Sequence, residues 1–340
     1  MKKLAMVLML CFLVVSVAGC AGMGKKDAAA SGSGSAAGGK TITLKFDSVK
    51  TQNDPEYGWW TKFMQDISDK SGGSIKYEMY PAESLGKQAD MLEAAQHGEP
   101  VLVDCDLNWL SKYVPDFSIG MAPYLLQKPE DIQKFWESEP GKRMCAELEK
   151  KDLHLVTLCY FGTRDLLCKK EVHSRADIAN MKIRCASSPM WNEVVRVLGG
   201  QPTNTAWSET YQALSQGIAD GAESPYTLLY SAKLYEPCKY LIKTEHLVAP
   251  TAIVMSQKVY ESLTPEGKKA IDEIGHAYPA QAIKNVQGVE KEYIDKLQQA
   301  GVKIIDIDKT EFIEASKETP SHFKDWTPGL YEEIKAALAK

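Results

Sequence analysis

The sequence lacks the short motifs that most enzymes of this size would show. It contains no Gly-x-Ser-x-Gly nucleophile motif, no His-Glu-x-x-His zinc motif and no phosphate-binding loop. Its six histidines are scattered without metal-ligand spacing, and no two cysteines form a Cys-x-x-Cys pair. These absences disfavour an enzyme, and we expect neither a metal site nor a cofactor.

Only one stretch of the chain is long and continuously apolar. Leu4 to Val17 follows the basic pair Lys2 and Lys3, and it ends in Val17-Ala18-Gly19-Cys20. This pattern predicts a secretory signal over residues 1–20, too short for a good membrane span. The ending resembles the lipobox of bacterial lipoproteins, which implies that Cys20 is lipidated; an ordinary signal peptide cut at a small residue is the alternative.

The next segment, residues 21–40, is rich in Gly, Ala and Ser and has no apolar periodicity. Such a composition predicts a flexible tether. Lipid, tether and globular body together predict an extracytoplasmic protein anchored to a membrane, either in a periplasm or on the outer face of a cytoplasmic membrane.

Positive charge is in the minority, and the cysteines are isolated. Removal of the signal takes Lys2 and Lys3 from the 40 basic residues, which leaves 38 against 45 acidic residues and a net charge of −7. This balance disfavours a nucleic-acid partner. Six cysteines remain beyond Cys20, and an even number in an exported chain permits disulfides. Their positions in apolar segments favour buried free thiols.

The order of the predicted elements indicates an α/β fold. Residues 41–46, 74–80 and 101–103 have the alternating or apolar pattern of strands, and helices opened by Asp54-Pro55 and centred on Leu92 separate them. Further strands are predicted at 154–160, 166–169, 181–185, near 240, at 252–255 and at 302–305. A long helical stretch covers 264–300, where Gly275 and Pro279 predict a kink or a break.

Three segments carry a family resemblance. They are YPAESLGKQADMLEAAQHGE, YVPDFSIGMAPYLL and TAWSETYQALSQGIADGAESP, and they occur in the order and at the spacing typical of one family. The chain resembles the DctP-type solute-binding proteins of TRAP (tripartite ATP-independent periplasmic) transporters from about Thr41 to its final helices.

The resemblance implies two α/β domains with a ligand cleft between them, bridged by crossing strands and a long helix. We expect domain I to comprise residues 41–161 and 250–289, and domain II to comprise 162–249 and 290–340, with the C-terminal helices. The implied function is to capture a small organic carboxylate and deliver it to membrane permease subunits. A binding protein of another importer type, a sensory ectodomain and an extracytoplasmic enzyme are the alternatives.

Arg184 is the first candidate for ligand binding. It lies in an apolar strand, where a guanidinium that cannot lose its charge requires an anionic partner. The residues alone leave open whether that partner is a carboxylate of the protein or an external anion. The resemblance implies a two-pronged salt bridge to the ligand's carboxylate.

Four other residues match family positions in the cleft. Arg164 corresponds to a second arginine, with a solvated hairpin charge as the alternative, and Trp207 to an aromatic cover, with a core tryptophan as the alternative. Asp106 is either a cleft residue or a strand-end cap. Ser224 departs from the family's usual Asn and implies a wider pocket or a water in the gap. The two arginines suit a dicarboxylate or a polar monocarboxylate, and Trp207 with Ser224 also permits an aromatic or branched acid.

Overall fold

The structure, a computed structural model, describes residues 41–340. The predicted signal over residues 1–20, the lipidated Cys20 and the tether over residues 21–40 lie outside that range. Within it, no helix combines the length and the apolar content needed to cross a membrane.

Nine strands form a single mixed sheet in this part of the chain. They are β1 (Ile42–Asp47), β2 (Ile75–Tyr80), β3 (Val101–Cys105), β4 (Leu153–Cys168), β5 (Lys182–Cys185), β6 (Gln201–Asn204), β7 (Gly221–Ser224), β8 (Tyr240–Ser256) and β9 (Lys303–Asp306). Their order is β2-β1-β3-β8-β4-β7-β5-β6, with β9 paired to β8.

Residues 41–340 contain fourteen α-helices, eleven between the strands and three after β9. They are α1 (Pro55–Lys70), α2 (Gln88–Gln96), α3 (Leu107–Leu110), α4 (Glu130–Glu137), α5 (Glu139–Glu149), α6 (Arg175–Ile178), α7 (Pro189–Leu198), α8 (Thr210–Ser215), α9 (Tyr226–Ser231), α10 (Gln257–Ser262), α11 (Pro265–Gln299), α12 (Thr310–Ser316), α13 (Thr319–His322) and α14 (Leu330–Leu338). The predicted α/β fold class is confirmed.

Two long antiparallel strands, β4 and β8, join two smaller groups of parallel strands. The group β2-β1-β3 attaches to the C-terminal end of β8, and the group β7-β5-β6 attaches to the C-terminal end of β4. The sequence predicted separate strands at 154–160 and 166–169, and again near 240 and at 252–255. Each pair is instead one continuous strand, because β-bulges accommodate the irregular residues between them.

One of these bulges lies between Tyr160 and Gly162, at the middle of β4. Gly162 has φ of +138°, and a Cβ atom there would lie 2.7 Å from the Cβ of Pro225. The position therefore requires glycine for both its backbone conformation and its packing. The sequence signal that looked like a turn is a bend inside a strand.

The long helix α11 runs for 35 residues without a break. The sequence predicted a kink or a break near Gly275 and Pro279: the break is wrong, since Pro279 is inside the helix, and the kink stays a prediction. Gly275 has a packing role instead: a Cβ atom there would lie 2.1 Å from the carbonyl oxygen of Val156 in β4. The missing side chain lets the helix lie directly against the strand.

The helix α11 contributes to the hydrophobic core at both ends of the sheet. Its first half, with Ile271 and Tyr278, packs in one cluster with Phe46 of β1 and Phe63 of α1. Its second half, with Leu297, belongs to a different cluster with residues of α8, α9 and the start of β8. The same helix thus supports both groups of strands.

Glu56 links the two ends of the sheet through a buried hydrogen bond. It lies in the first turn of α1, and its Oε1 accepts a hydrogen bond of 2.7 Å from the hydroxyl of Thr227 in α9. Its Oε2 has no partner among the described residues. Burial, with the nearby charge of Asp54, raises the pKa of Glu56 to about 7. Asp54 is the N-cap residue of α1, as predicted, but its carboxylate makes no capping hydrogen bond and accepts hydrogen bonds from Thr51 instead.

We predict that Glu56→Gln stabilises the protein at pH 8 and not at pH 4.5. The pKa of Glu56 is higher in the folded than in the unfolded chain, so ionisation of Glu56 lowers the free energy of unfolding. This loss grows as pH rises from about 4.5 to 7 and stays the same at higher pH. The pKa shift of Glu56 corresponds to roughly 3 kcal/mol in the free energy of unfolding at pH 8. Denaturant unfolding at both pH values measures it.

Glu266→Gln is the matched control for this comparison. Glu266 also follows a proline at the start of a helix, but it is exposed. Its substitution should change the unfolding free energy little at either pH. An equal effect of Glu56→Gln at pH 4.5 and pH 8 would show that the buried charge is not the cause.

Candidate ligand-binding site

A cavity of about 410 Å³ opens where the strands of both groups end. The carboxyl ends of β3, β5, β6 and β7 converge there, as is usual for ligand sites of open α/β sheets. The charged side chains of its wall are Lys50, Glu83, Lys87, Asp106, Arg164, Arg184, Glu209 and Glu223. All five residues predicted for the ligand site, Arg184, Arg164, Trp207, Ser224 and Asp106, line this cavity.

Arg184 is buried at the end of β5 without a carboxylate partner. One of its Nη atoms donates to the carbonyl oxygen of Thr205 at 2.6 Å, and its Nε lies 3.4 Å from the Thr205 hydroxyl. Across residues 41–340, no Asp or Glu oxygen lies within 4.0 Å of its nitrogens. Burial lowers the pKa of Arg184 to about 10, so the charge persists at neutral pH. The remaining N–H groups are available to a ligand in the cavity.

Arg164 differs from Arg184 because it forms an ion pair with Glu223, which neutralises its charge. Its Nε and one Nη donate to the two carboxylate oxygens of Glu223, and that Nη also donates to the Glu223 carbonyl at 3.0 Å. Its guanidinium lies over the ring of Trp191, 4.6 Å from the centroid. Arg164 is 7% exposed, so the alternative of a solvated hairpin charge is wrong. It is part of a continuous strand and forms a buried ion pair.

Glu223 lies in the cavity wall, although it was not among the predicted site residues. It occupies the short strand β7, with 1% exposure. Burial alone would raise its pKa, but the Arg164 charge and hydrogen bonds from Arg164 and His246 lower the pKa of Glu223 to about 2. Gly221–Ser224 contains no large or β-branched apolar residue, so its pattern does not predict a strand. An acidic residue one position before a predicted site residue, Ser224, was the available clue.

Asp106 satisfies both of the roles that the sequence left open. It caps α3, because its Oδ1 accepts a hydrogen bond of 2.8 Å from the amide of Asn108. Its Oδ2 accepts one of 3.3 Å from the indole N–H of Trp191 on α7. Burial raises the pKa of Asp106 to about 6, against the lowering effects of the Asn108 amide and the Arg164 charge. It is ionised at neutral pH.

Trp207 and Ser224 complete the predicted set. The Trp207 ring is partly exposed at the cavity, with the Arg184 guanidinium 5.3 Å from its centroid. Trp207 also packs against two hydrophobic core clusters, so the aromatic cover and the core tryptophan both stay open as its role. Ser224 is fully buried, and its hydroxyl has no hydrogen-bond partner within residues 41–340. An unpaired buried hydroxyl in a cavity wall is available to a polar ligand.

Trp109 and Trp191 also line the cavity, whereas Trp60 is in the core. In residues 41–340, no three His, Cys, Asp or Glu side chains converge in a way that could hold a metal ion. The six cysteines of this range are free thiols in the structure. The site is thus built from charged, hydroxyl and aromatic groups.

Comparisons with known proteins identify the family. The model of the bacterial extracellular solute-binding proteins, family 7 (DctP), matches residues 46–325. The 2,3-diketo-L-gulonate-binding periplasmic protein YiaO of Escherichia coli is 26% identical over 278 residues, which cover 80% of this chain and 84% of that protein.

Solved structures give the same result. A TRAP periplasmic solute-binding protein from Ochrobacterium anthropi with bound L-fuconate has a TM-score of 0.84 at 31% identity, over 88% of this chain and 99% of that one. One from Actinobacillus succinogenes with bound L-galactonate has a TM-score of 0.84 at 28% identity and the same coverage. The chain therefore belongs to family 7 of the bacterial extracellular solute-binding proteins, the DctP-type binding proteins of TRAP transporters.

Proposed function

We propose that this protein captures a small organic carboxylate on Arg184, encloses it, and delivers it to the membrane permease subunits of a TRAP transporter. The observation that carries the proposal is a buried guanidinium with no carboxylate within 4.0 Å in the described part of the chain. Arg184 lines the cavity, and its planar fork suits the two oxygens of a carboxylate. The L-fuconate and L-galactonate held by the two similar structures are both carboxylates.

The ligand would be enclosed between two domains that meet at the bulged middle of β4 and β8. The proposed boundaries place residues 41–161 and 250–289 in domain I, and residues 162–249 and 290–340 in domain II. Two contacts support closure because they join these parts across the cavity: Lys87 to the hydroxyl of Ser208 at 2.5 Å, and Trp191 to Asp106 at 3.3 Å. Separation of the domains would break both contacts and open the cavity to solvent.

The protein itself would perform no chemistry on the bound acid. The relatives named above are binding proteins by description. Within residues 41–340, the cavity wall offers one guanidinium without a carboxylate partner, together with hydroxyls and carboxylates. Such a set can bind and orient an anion. The closed form would then be the shape that the permease recognises.

The substitution Arg184→Ala tests directly whether Arg184 binds the ligand. Loss of the charged partner from a desolvated pair typically weakens binding by ~3–5 kcal/mol, or roughly two to three and a half decades in affinity. Arg184→Lys should also bind poorly, since an ammonium does not reproduce the fork. Calorimetry gives the affinity, and thermal unfolding without ligand gives the Tm. We expect a large loss of affinity with the ligand-free Tm little changed.

Arg164→Ala is the matched control, since it removes an arginine of the same cavity that is already paired. It would leave Glu223 as a buried, uncompensated carboxylate, which typically destabilises a fold by ~3–5 kcal/mol. The ligand-free Tm should therefore fall strongly for Arg164→Ala and not for Arg184→Ala. A folded Arg184→Ala protein that binds at wild-type affinity would end the proposal.

Closure is tested by small-angle X-ray scattering. The radius of gyration should decrease when a saturating concentration of a bound acid is added, because the two domains approach each other around it. The Arg184→Ala protein under the same conditions should keep the ligand-free profile. Identical profiles of the wild type with and without bound acid would argue against a large closure.

We propose that the protein is extracytoplasmic and anchored through a lipid on Cys20. The support is the Val-Ala-Gly-Cys ending of the apolar segment, followed by a Gly/Ala/Ser-rich tether. Cys20→Ala should release the protein from membranes or block its processing, and detergent phase partitioning of cell fractions measures this. Unchanged partitioning of the variant would contradict the lipid anchor.

A further inference from the structure

We propose that Trp191 is a positioning residue for ligand capture, because it joins the two proposed domains at the cavity wall through a hydrogen bond to Asp106. The bond holds the closed form and slows the release of a bound acid. This inference rests on the proposed function, since it concerns the step in which the two domains enclose their ligand.

Local structure fixes the Trp191 side chain beside the cavity. Trp191 lies in the first turn of α7, where Pro189 opens the helix and the Ser188 hydroxyl accepts a hydrogen bond of 3.1 Å from the Trp191 amide. The Arg164 guanidinium lies over its ring. The side chain is 3% exposed and belongs to a hydrophobic core cluster. A ring held in this way points its N–H in a defined direction.

The acceptor of this N–H is a charged group with few other partners. Asp106 Oδ2 lies 3.3 Å from the indole nitrogen, and Oδ1 accepts from the amide of Asn108. Within residues 41–340, Trp191 supplies the only side-chain hydrogen bond to Asp106, and no Lys, Arg or His nitrogen lies within 4.0 Å of the carboxylate. A hydrogen bond to a charged group is stronger than one between neutral groups.

The bond connects parts of the chain that the proposed boundaries assign to different domains. Asp106 follows β3 and belongs to residues 41–161, whereas Trp191 belongs to residues 162–249. Both residues line the cavity. Separation of the domains would break the bond and hydrate the Asp106 carboxylate, so the bond contributes to the closed form alone. Such a contribution stabilises the ligand-bound state and lowers its dissociation rate.

The other contact across the cavity, from Lys87 to the hydroxyl of Ser208 at 2.5 Å, is of a weaker kind. The Lys87 side chain is 48% exposed, and Ser208 is exposed as well. Water competes for both groups whether the domains are open or closed, so a contact of this kind typically contributes little. The buried bond of Trp191 to Asp106 is therefore the stronger link between the domains at the cavity.

Replacement of Trp191 by benzothienylalanine tests the bond, because sulfur takes the place of the N–H in a ring of nearly the same shape. The probe is the acid that binds the wild type most tightly in a panel of aldonates, C4-dicarboxylates, 2-oxo acids and aromatic acids. Stopped-flow fluorescence of the remaining tryptophans gives both rates. The dissociation rate should rise about tenfold, and the association rate should change less than about threefold.

The same replacement at Trp60 is the matched control. Trp60 is also 3% exposed, but it lies in the core cluster that contains Phe63, and its N–H has no partner within residues 41–340. Neither rate should change in this variant. Ser208→Ala removes the exposed contact with Lys87, and it should raise the dissociation rate less than the replacement of Trp191 does.

Asp106→Ala separates the hydrogen bond from direct contact between Trp191 and the ligand. Once the acceptor is absent, the Trp191 replacement should change the dissociation rate by less than about twofold. If the loss of the α3 cap prevents Asp106→Ala from folding, Asp106→Asn takes its place. Its neutral side chain is a weaker acceptor, so the effect of the Trp191 replacement should be smaller than in the wild type.

Two results would overturn the role of Trp191 and leave the proposed function standing. One is a dissociation rate that the Trp191 replacement leaves unchanged or raises no more than the Trp60 replacement does. The other is a full tenfold increase in the Asp106→Ala background, which would show that Trp191 acts on the ligand directly. If no acid of the panel binds the wild type, the proposed function and this inference both fail.

Discussion

A guanidinium keeps its charge, and Arg184 is buried in the cavity wall with no carboxylate within 4.0 Å in residues 41–340. The local structure supplies two neutral contacts from Thr205 and an aromatic ring, and it leaves the guanidinium without a direct ionic partner in that range. Such an arrangement is unfavourable in the empty protein and becomes favourable when an anion binds. The architecture of the cavity follows from this one unbalanced charge.

The two arginines of the site differ in role: Arg164 forms an ion pair within the protein, whereas Arg184 is the proposed ligand-binding residue. Arg164 and Glu223 lie on the adjacent strands β4 and β7 and form a closed unit with His246. That unit keeps a second guanidinium in the wall of the cavity while its charge is cancelled. A second contact, from the Trp191 indole to Asp106, joins α7 to the start of α3 beside this unit.

The larger features of the fold could be predicted from the sequence, because they have strong periodic signals. The first strands and helices, the strand that carries Arg184 and the long C-terminal helix all begin and end near the expected residues. The joining of predicted strand pairs into β4 and β8 could not be predicted, since a bulge at Gly162 looks locally like a turn. The predicted site residues all line one cavity, but residue type alone did not distinguish the paired Arg164 from the unpaired Arg184. That distinction depends on Glu223, whose strand β7 contains no large or β-branched apolar residue from which it could be predicted.

The most direct measurement is a crystal structure of the protein with the tightest-binding acid in the cavity. The account predicts that both oxygens of its carboxylate lie about 2.7–2.9 Å from the guanidinium nitrogens of Arg184, while the ion pair of Arg164 and Glu223 stays intact. A carboxylate bound to Arg164 with Glu223 displaced, or one bound away from both arginines, would contradict it.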